Sequence, residues 1–281
     1  MTAGYSIYER CEIHRPLQIT GLFTAFEKRF APDFSFDGES HDFWELVYVA
    51  EGMAGVATGQ MVYTLSAGQM ILHPPMEFHR IWAADGTSPR VMVISFESMG
   101  LEWTQDAVRT LSAGQGGQVQ RALELLRDNY QMEGMHVRRA LPQREVGAAR
   151  AVCVLEHLLL TLMAESSPAG ICDSSRSARQ FQRLVAIMEA AIENSLSMAE
   201  LTQISGMSES SVKRIFARYT GMGPMRYYMD MKVRRAIALL GEGLRVGEVS
   251  QRLGFENQNY FCTAFKRVTG CTPTQFRKMQ D

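Results

Sequence analysis

The sequence has little of what marks secreted, disulfide-linked or membrane-spanning proteins. Its five cysteines are an odd number, lie far apart and form no C-x-x-C pair, which argues against a disulfide framework or a structural zinc site. The first dozen residues mix charges and have no apolar core, so no secretory signal is expected. The most apolar run, Leu158–Ala164, is too short to cross a bilayer. We therefore expect a cytoplasmic protein with reduced thiols and no membrane partner.

A large excess of either charge is also absent, but the charge is unevenly distributed. The 281 residues carry 29 Lys+Arg and 30 Asp+Glu, a formal net charge of -1, whereas a nucleic-acid-binding domain should be basic. Residues 179–281, however, hold 15 Lys+Arg and 9 Asp+Glu, a net charge of +6, while residues 1–178 have a net charge of -7. The 46% apolar content excludes a disordered chain, and the length suggests two domains. The prediction is an acidic domain followed by a basic one.

The local patterns of the two halves predict different secondary structure. Before about residue 98, short runs rich in β-branched and aromatic residues alternate with turn signals, which is typical of an antiparallel barrel or sandwich. The predicted strands are Phe43–Val49, Met61–Leu65, Met70–His73 and Arg90–Phe96. After residue 117 the apolar residues recur at helical spacing, which predicts helices at 119–132 and 146–164. Their apolar faces fit either a core or a dimer interface, and the sequence leaves both open.

A repeat with an offset of 49 residues dominates the C-terminal half. The pattern F-x3-T-G-x2-P begins at Phe216 and again at Phe265, each time at the end of an amphipathic helix that follows a Gly-apolar turn. Another short helix precedes each turn, at Met198–Ser205 and Val246–Leu253, and residues 224–241 are predicted to form one connecting helix. Helix, turn and helix, twice over, is the helix-turn-helix pattern. A generic helical repeat would need roughly three or more copies to bury a continuous core, so DNA binding is favoured.

Residues 197–279 resemble the DNA-binding domain of the AraC/XylS family of transcription regulators over the whole of that domain. The resemblance rests on motifs at fixed spacing in both units: Gly206-Met207-Ser208, Arg214-Ile215-Phe216, Thr220-Gly221, Gly254-Phe255, Tyr260-Phe261, Phe265-Lys266, Thr269-Gly270, Thr272-Pro273 and Phe276-Arg277-Lys278. The chain departs from the family at Cys262-Thr263-Ala264, where a Ser-Arg-Arg-like run is commoner, and this removes one basic contact. The resemblance implies a sequence-specific regulator that responds to a ligand, with activation as the expected sign.

The second helix of each unit should present one face to the major groove of DNA. Asn and Gln side chains pair with adenine, and Arg and Lys side chains pair with guanine. At positions where family members touch bases, we predict base contacts from Ser210, Lys213, Arg214, Gln258, Asn259 and Thr263. Further along the same helices, phosphate contacts are predicted from Arg218, Lys266 and Arg267. An ordinary solvated helix face is the alternative for each of these residues.

The β-rich half resembles a cupin, the usual sensor domain in this family. The first part of the cupin metal signature, H-x3-E-x6-G, matches His41, Glu45 and a following glycine, and the second part is partly matched up to His79. Glu39 stands where the signature has its first histidine. The match is degenerate, and it implies a sensor barrel whose polar residues point inward.

The same residues predict how the barrel would recognise a ligand. His41, Glu45 and His79 should hydrogen-bond a small polar metabolite such as a sugar, and Trp44 or Trp82 should stack on it. No metal and no cofactor are expected. Two alternatives stay open: the two histidines and the glutamate form a two-His-one-carboxylate metal site, or a buried His–Glu pair closes the barrel without a ligand.

The combined prediction is an α+β chain in four parts. Residues 1–100 form a cupin-like antiparallel β-barrel that senses a ligand, 101–166 a helical dimerisation segment, 167–178 a Ser/Gly/Pro linker, and 179–281 an all-α domain of two helix-turn-helix units joined by a connecting helix. The expected partners are double-stranded DNA, a small-molecule effector, a second copy of the chain in a homodimer and, for an activator, RNA polymerase. Catalytic activity is not expected. The alternatives are a metal-dependent cupin enzyme fused to a DNA-binding domain and a regulator controlled by a protein partner.

Overall fold

The computed structural model describes residues 11–59, 61–103, 108–165, 173 and 175–280. Within them, a β-rich part with two helices is followed by a part that is entirely helical. The strands are β1 (Gln18–Arg29), β2 (Trp44–Glu51), β3 (Met53–Ala57), β4 (Val62–Ser66), β5 (Gln69–His73), β6 (Arg80–Ala83), β7 (Arg90–Met99), β8 (Val108–Thr110), β9 (Tyr130–Glu133) and β10 (His136–Ala140). The helices are α1 (Ala113–Asn129), α2 (Glu145–Ala164), α3 (Arg176–Ala190), α4 (Met198–Ser205), α5 (Glu209–Thr220), α6 (Pro224–Gly241), α7 (Val246–Arg252), α8 (Gln258–Thr269) and α9 (Pro273–Gln280).

Two antiparallel sheets pack face to face in the β-rich part, which we call the sandwich. The larger sheet has the order β8-β5-β2-β7-β1-β10-β9, and the smaller one has the order β4-β3-β6. Alternation along β2 directs Val47 and Val49 toward the smaller sheet, where they join a buried cluster with Val56 and Leu65. Each of the four predicted strands overlaps an observed one, namely β2, β4, β5 or β7.

Helices α1 and α2 pack on the outer face of the larger sheet. Leu46 of β2 and Ile94 of β7 point to this side and form one buried cluster with Leu123 of α1 and Leu159 of α2. By length and composition α2 could also cross a membrane, but one of its faces lies in this cluster. The inner apolar faces of both helices therefore form a core.

The first helix ends earlier than the predicted range of 119–132. Helix α1 stops at Asn129, and the chain turns at once into the hairpin β9–β10. Gly134 takes a left-handed φ of 59° between the two strands, and β10 pairs with β1 through Thr24 and His136. Strands β8, β9 and β10 all belong to the larger sheet, so the predicted boundary at residue 100 does not separate a β part from a helical part.

The C-terminal part contains the two predicted helix-turn-helix units. Helices α4 and α5 form the first unit, α7 and α8 form the second, and the connecting helix α6 has the predicted bounds. Each turn uses a left-handed glycine, with a φ of 68° at Gly206 and 65° at Gly254. At Gly254 a Cβ atom would also lie 2.6 Å from the carbonyl oxygen of Glu193, so only glycine fits there.

The sandwich and the first helix-turn-helix unit share a hydrophobic core. Ala57 and Phe78 of the sandwich belong to the same buried cluster as Phe216 of α5 and Tyr227 of α6. The predicted linker over residues 167–178 lies for the most part outside the described residues. The two parts are therefore in direct contact, whatever the path of the chain between them.

Candidate effector cavity and DNA-binding surface

A cavity of about 550 Å³ lies inside the sandwich, bordered by β1, β2, β6, β7 and the hairpin β9–β10. Phenylalanines form much of its wall. Phe23 stacks on Phe43 with ring centroids 4.0 Å apart, and Phe30 stacks on Phe34 at 3.8 Å. The hairpin that sequence reasoning missed adds Met135 to the wall. A volume of this size holds a metabolite-sized molecule.

The polar end of the cavity brings together residues that are far apart in the sequence. Glu45 points inward from β2, and the strand register sets it opposite His73 of β5 and Ser95 of β7. The Ser95 hydroxyl donates a hydrogen bond of 2.9 Å to Glu45. Glu45 Oε2 lies 3.8 Å from Nε2 of His41, and Glu45 Oε1 lies 3.3 Å from Nε2 of His79. The structure thus assembles the predicted residues His41, Glu45 and His79 in one place.

Backbone carbonyls orient both histidines of this polar end. Nδ1 of His41 lies 2.9 Å from the carbonyl oxygen of Phe43, and Nδ1 of His79 lies 3.2 Å from that of Glu77. A carbonyl oxygen only accepts, so Nδ1 carries the hydrogen in each ring. In the neutral ring Nε2 then has a lone pair, and Nε2 of His41 is buried without a hydrogen-bond partner. Nε2 of His79 lies 3.3 Å from Oε1 of Glu45 and donates to that carboxylate when the ring is protonated. The cavity therefore ends in one imidazole nitrogen, that of His41, whose hydrogen-bonding capacity is unused.

Burial and neighbouring charges shift the pKa values at this end in opposite directions. Burial alone would raise the pKa of Glu45, but the hydrogen bond and charge of His79, together with the hydrogen bond from Ser95, outweigh burial and lower it to about 2. Burial, followed by the effect of His79, lowers the pKa of both His41 and His73. Burial also opposes the charged form of His79, but Glu45 outweighs it and raises the pKa of that imidazole. Near neutral pH this end therefore holds an ionised Glu45 beside neutral rings at His41 and His73.

The two tryptophans predicted to stack on a ligand do not line the cavity. Trp44 is next to Glu45 on β2, so it points to the opposite face and packs against the cluster beneath α1 and α2. Trp82 covers Gly55 of the neighbouring strand, where a Cβ atom would lie 2.0 Å from its ring. Its other side faces Tyr219 of α5, with 6.2 Å between ring centroids. This part of the prediction is corrected: phenylalanines provide the aromatic wall.

Sequence reasoning missed a layer of polar residues behind His79. The imidazole of His73 stacks on that of His79 with centroids 4.3 Å apart, and Nδ1 of His73 lies 2.8 Å from Oε2 of Glu77. Burial raises the pKa of Glu77 to about 7. The available signal was that His73 ends a predicted strand with the same parity as Ile71. Nothing in the sequence linked Glu77 to it.

Arg80 joins the cavity wall to the first helix-turn-helix unit. Its Nε donates a hydrogen bond of 2.7 Å to the carbonyl oxygen of Phe36, which lines the cavity. Its Nη1 donates to the carbonyl oxygens of Ala217 and Arg218 at 3.0 and 2.8 Å. These two carbonyls lie in the last turn of α5, where the negative end of the helix dipole favours a cation. The residue next to His79 therefore holds the C-terminal end of α5.

All nine residues predicted to contact DNA are exposed on α5 or α8. They are Ser210, Lys213, Arg214 and Arg218 on α5, and Gln258, Asn259, Thr263, Lys266 and Arg267 on α8. The opposite faces of these helices are buried, for example at Phe216 and Phe265. Lys213 pairs with Glu209 at 2.6 Å on the surface. Both helices thus present polar and basic faces that are free to meet a nucleic acid.

Family models match both parts of the chain. The model of the AraC-like ligand binding domain matches residues 23–205, and that of a helix-turn-helix domain matches residues 201–279. The uncharacterized HTH-type transcriptional regulator YidL of Escherichia coli is 26% identical over 242 residues, which are 85% of this chain and 76% of that protein. The HTH-type transcriptional activator RhaR of Escherichia coli is 24% identical over 260 residues, which are 88% of this chain and 89% of that protein. The crystal structure of ToxT from Vibrio cholerae O395 aligns with 92% of this chain and 98% of its own, at 12% identity and a TM-score of 0.38.

Proposed function

The chain belongs to the AraC family of transcription regulators, and from this premise we propose that it is a ligand-responsive activator whose two helix-turn-helix units both read DNA. The cavity in the sandwich is the proposed effector site, and α5 and α8 are the proposed recognition helices. The observation that supports this most is Arg80, which touches the cavity wall and the end of α5 at once. A ligand that favours one arrangement of the wall can thereby shift the position of a recognition helix.

The effector that we propose is a small polar metabolite with an apolar face, such as a sugar. The phenylalanines of the wall, among them Phe23 and Phe34, offer apolar surface to the apolar face of such a molecule. Beside them, His41, whose ring stacks on Phe43 at 3.8 Å, and its neighbours Glu45 and His79 offer acceptors and donors to its hydroxyl groups. A mostly apolar pocket with a few convergent polar groups is the usual form of a small-molecule site.

The proposed reading of DNA uses both units on one face of the duplex. Helix α6 has 18 residues and is therefore about 27 Å long, which suits two recognition helices in successive major grooves about 34 Å apart. Base contacts are proposed for Ser210, Lys213, Arg214, Gln258, Asn259 and Thr263, and phosphate contacts for Arg218, Lys266 and Arg267. The net charge of +6 over residues 179–281 supports this assignment.

The remaining partners are proposed from the relatives and from the outer face of α2. Activation of RNA polymerase is proposed because RhaR, a relative over most of the chain, is named as an activator. A homodimer is proposed because the outer face of α2 exposes Val146 and Leu160, and a two-fold pair of chains would double the number of DNA contacts. We propose a cytoplasmic location and no catalytic activity, since the relatives are transcription regulators.

Selection of binding sites from a random DNA library, with the full-length chain at low salt, tests this function. We expect enriched sites with two specific elements about 10 base pairs apart, bound less tightly as salt rises. Arg214→Ala should weaken binding by about 1–3 kcal/mol and relax the preference in one element. Arg90→Ala on the sandwich, far from the recognition helices in sequence, is the matched control. A library without any enriched site would contradict the proposal.

A further inference from the structure

The polar end of the cavity has two carboxylates but no lysine or arginine that pairs with them among the residues that the structure describes. Glu45 points inward from β2, and its side chain is 12% exposed. Glu39 reaches the same space because its backbone exchanges two hydrogen bonds of 3.0 Å with that of His79. The only ion pairs of these carboxylates within the described ranges are with the imidazoles of His41 and His79. Buried charges are normally paired, so this end is short of positive charge.

The formal charge of this end is negative in either state of His79. When the ring of His79 is protonated, its Nε2 donates to Oε1 of Glu45, 3.3 Å away. The ring of His41 is neutral, because burial lowers its pKa. Two carboxylates and one imidazolium then leave a net charge of -1, and without the proton on His79 the charge is more negative still. This end of the cavity therefore attracts a positively charged group.

Three acceptors converge at this end with lone pairs to spare. Nε2 of His41 is buried without a partner, and it has a lone pair because Nδ1 gives its hydrogen to the carbonyl of Phe43. Oε2 of Glu45 accepts one hydrogen bond of 2.9 Å, from Ser95, and keeps a second lone pair. The carboxylate of Glu39 is the third acceptor. The ligand atoms of the three residues lie within 4.8 Å of one another.

We propose that this end of the cavity binds the protonated primary amine of the effector. An ammonium group has three N–H donors, one for each of the three acceptors. Charge-assisted N–H···O bonds are about 2.7–2.9 Å long, so acceptors placed tetrahedrally around one nitrogen lie about 4.4–4.7 Å apart. The spacing of the three ligand atoms allows this arrangement. The inference rests on the proposed function, because it names the chemical group by which the proposed effector is recognised.

Aromatic rings beside the three acceptors define the rest of the ligand. The ring of His41 stacks on Phe43 with centroids 3.8 Å apart, and Phe43 stacks on Phe23 at 4.0 Å. These three rings form a continuous wall from the acceptors toward the surface, where Phe23 is 37% exposed. An apolar body packs against such a wall while its polar end is held by the acceptors. The ligand class is therefore a primary amine with an apolar face, which includes arylalkyl amines and amino sugars.

Calorimetric titration of the full-length chain in phosphate buffer at neutral pH tests the amine site. The probes are matched pairs that differ in one group: phenylethylamine with phenylethanol, hexylamine with hexanol, and glucosamine with glucose. We expect at least one amine to bind about tenfold or more tightly than its alcohol, because charge-assisted hydrogen bonds are roughly twice as strong as neutral ones. Phenylpropionate, an anion of similar shape to phenylethylamine, should not bind.

Glu39→Gln keeps the shape of the side chain and removes one negative charge. The preference for the amine over its alcohol should fall by about fivefold or more in this variant. Glu39 has a half-exposed side chain, so the variant should fold, and a thermal melt without ligand checks this. Glu97→Gln is the matched control, because it removes the same charge from an exposed position of the sandwich outside the cavity. Its preference should equal that of the wild type.

The inference is overturned if no amine binds more tightly than its alcohol, or if Glu39→Gln keeps the full preference for the amine. Selection of DNA sites by the same protein separates the two proposals. A chain that selects DNA sites but prefers no amine refutes the amine site alone. A chain that prefers amines but selects no DNA site supports the amine site and refutes the proposed function.

Discussion

The two helix-turn-helix units share one sequence pattern but differ in their contacts with the sandwich. Ala217 and Arg218 at the end of α5 accept hydrogen bonds from Arg80. Among the described residues, the carbonyls of Lys266 and Arg267, 49 positions later at the end of α8, accept no hydrogen bond from the sandwich. The sandwich therefore holds the end of the first recognition helix and does not hold the same end of the second.

The glycines that end the two recognition helices show the same difference. Gly221 and Gly270 both take left-handed φ values, 67° and 80°. A Cβ atom on Gly221 would lie 3.0 Å from the carbonyl oxygen of Asp37 in the sandwich, whereas one on Gly270 would meet nothing within 4 Å. The second unit does touch the sandwich at Met76, which packs against its core. The difference teaches that a sequence repeat can keep its fold while the end of one recognition helix docks on the sandwich and the end of the other does not.

Truncation of a side chain in the core shared by the sandwich and the first unit should give the largest difference in stability between the two units. Phe78 of the sandwich is 3% exposed and meets Tyr227 edge to face, with centroids 5.7 Å apart. Phe78→Ala should lower the free energy of unfolding by about 3–5 kcal/mol. Phe276→Ala, which trims a partly buried ring against the core of the second unit, should cost clearly less. Urea denaturation followed by circular dichroism measures both, and equal losses would count against a core shared with the first unit.

Removal of the arginine that caps α5 should have the next largest effect. Arg80→Met keeps much of the side-chain volume but leaves the carbonyls of Arg218 and Phe36 without their donor, while the carbonyl of Ala217 keeps only its hydrogen bond from the Gly221 N–H. The expected loss of stability is about 2–3 kcal/mol. Arg90→Met, which breaks surface ion pairs with Glu27 and Glu51, should cost no more than about 1 kcal/mol. If thermal melts show the same loss for both arginines, Arg80 has no special role in docking.

Alanine substitutions at the two glycines that end α5 and α8 form a matched pair, and we expect a smaller difference in stability between them. Alanine in a left-handed conformation costs about 1–2 kcal/mol at either position. Gly221→Ala adds the close contact with Asp37, so it should be more destabilising than Gly270→Ala by about 1 kcal/mol. Chemical denaturation of the two variants under one condition gives the difference. A larger loss of stability for Gly270→Ala than for Gly221→Ala would mean that the sandwich is not in close contact with the end of α5.

We expect Lys232, at the junction of the two units, to give the free energy of unfolding a small dependence on pH. Its Nζ donates hydrogen bonds to the carbonyl oxygens of Asn194 at 2.5 Å and Leu253 at 2.7 Å, and burial lowers its pKa to about 8. Above that pH the unfolded chain binds more protons than the folded one, so stability should rise with pH until the unfolded pKa is reached. Between pH 8 and 9 the wild type should gain about 1 kcal/mol relative to Lys232→Met. Parallel pH profiles in the two proteins would show that Lys232 titrates normally.

Local signals predicted the helical part well, and the reason is physical. Helix α4 begins directly after its N-cap Ser197, which forms a capping box with Glu200 in the first turn, and α6 begins with Pro224, so their bounds depend on residues close in sequence. The hairpin β9–β10 depends also on pairing with β1, about 110 residues away, and Gly134 is a turn signal that sequence reasoning did not use. The parity of β2 places Glu45 inside and Trp44 outside, so alternation alone was enough to exclude that tryptophan from the cavity.

The candidate site could be predicted only in part for the same reason. His41, Glu45 and His79 were found because they fall on a motif with fixed spacing. Arg80 makes the contact between the sandwich and the first helix-turn-helix unit. The sequence gives no signal for this contact because the acceptors on α5 lie about 137 positions further along the chain. Contacts between regions that are distant in the sequence depend on the packing of whole elements, which composition and periodicity do not reveal.

Hydrogen–deuterium exchange of the full-length chain and of Arg80→Met tests the central claim most directly, namely that the sensor holds the first recognition helix and leaves the second free. Backbone amides in residues 217–222 should exchange about tenfold or more faster in the variant, because the last turn of α5 opens more often without its cap. Amides in residues 266–271 of the second unit should exchange at the wild-type rate. Equal acceleration at both helix ends, or none at the end of α5, would contradict the account.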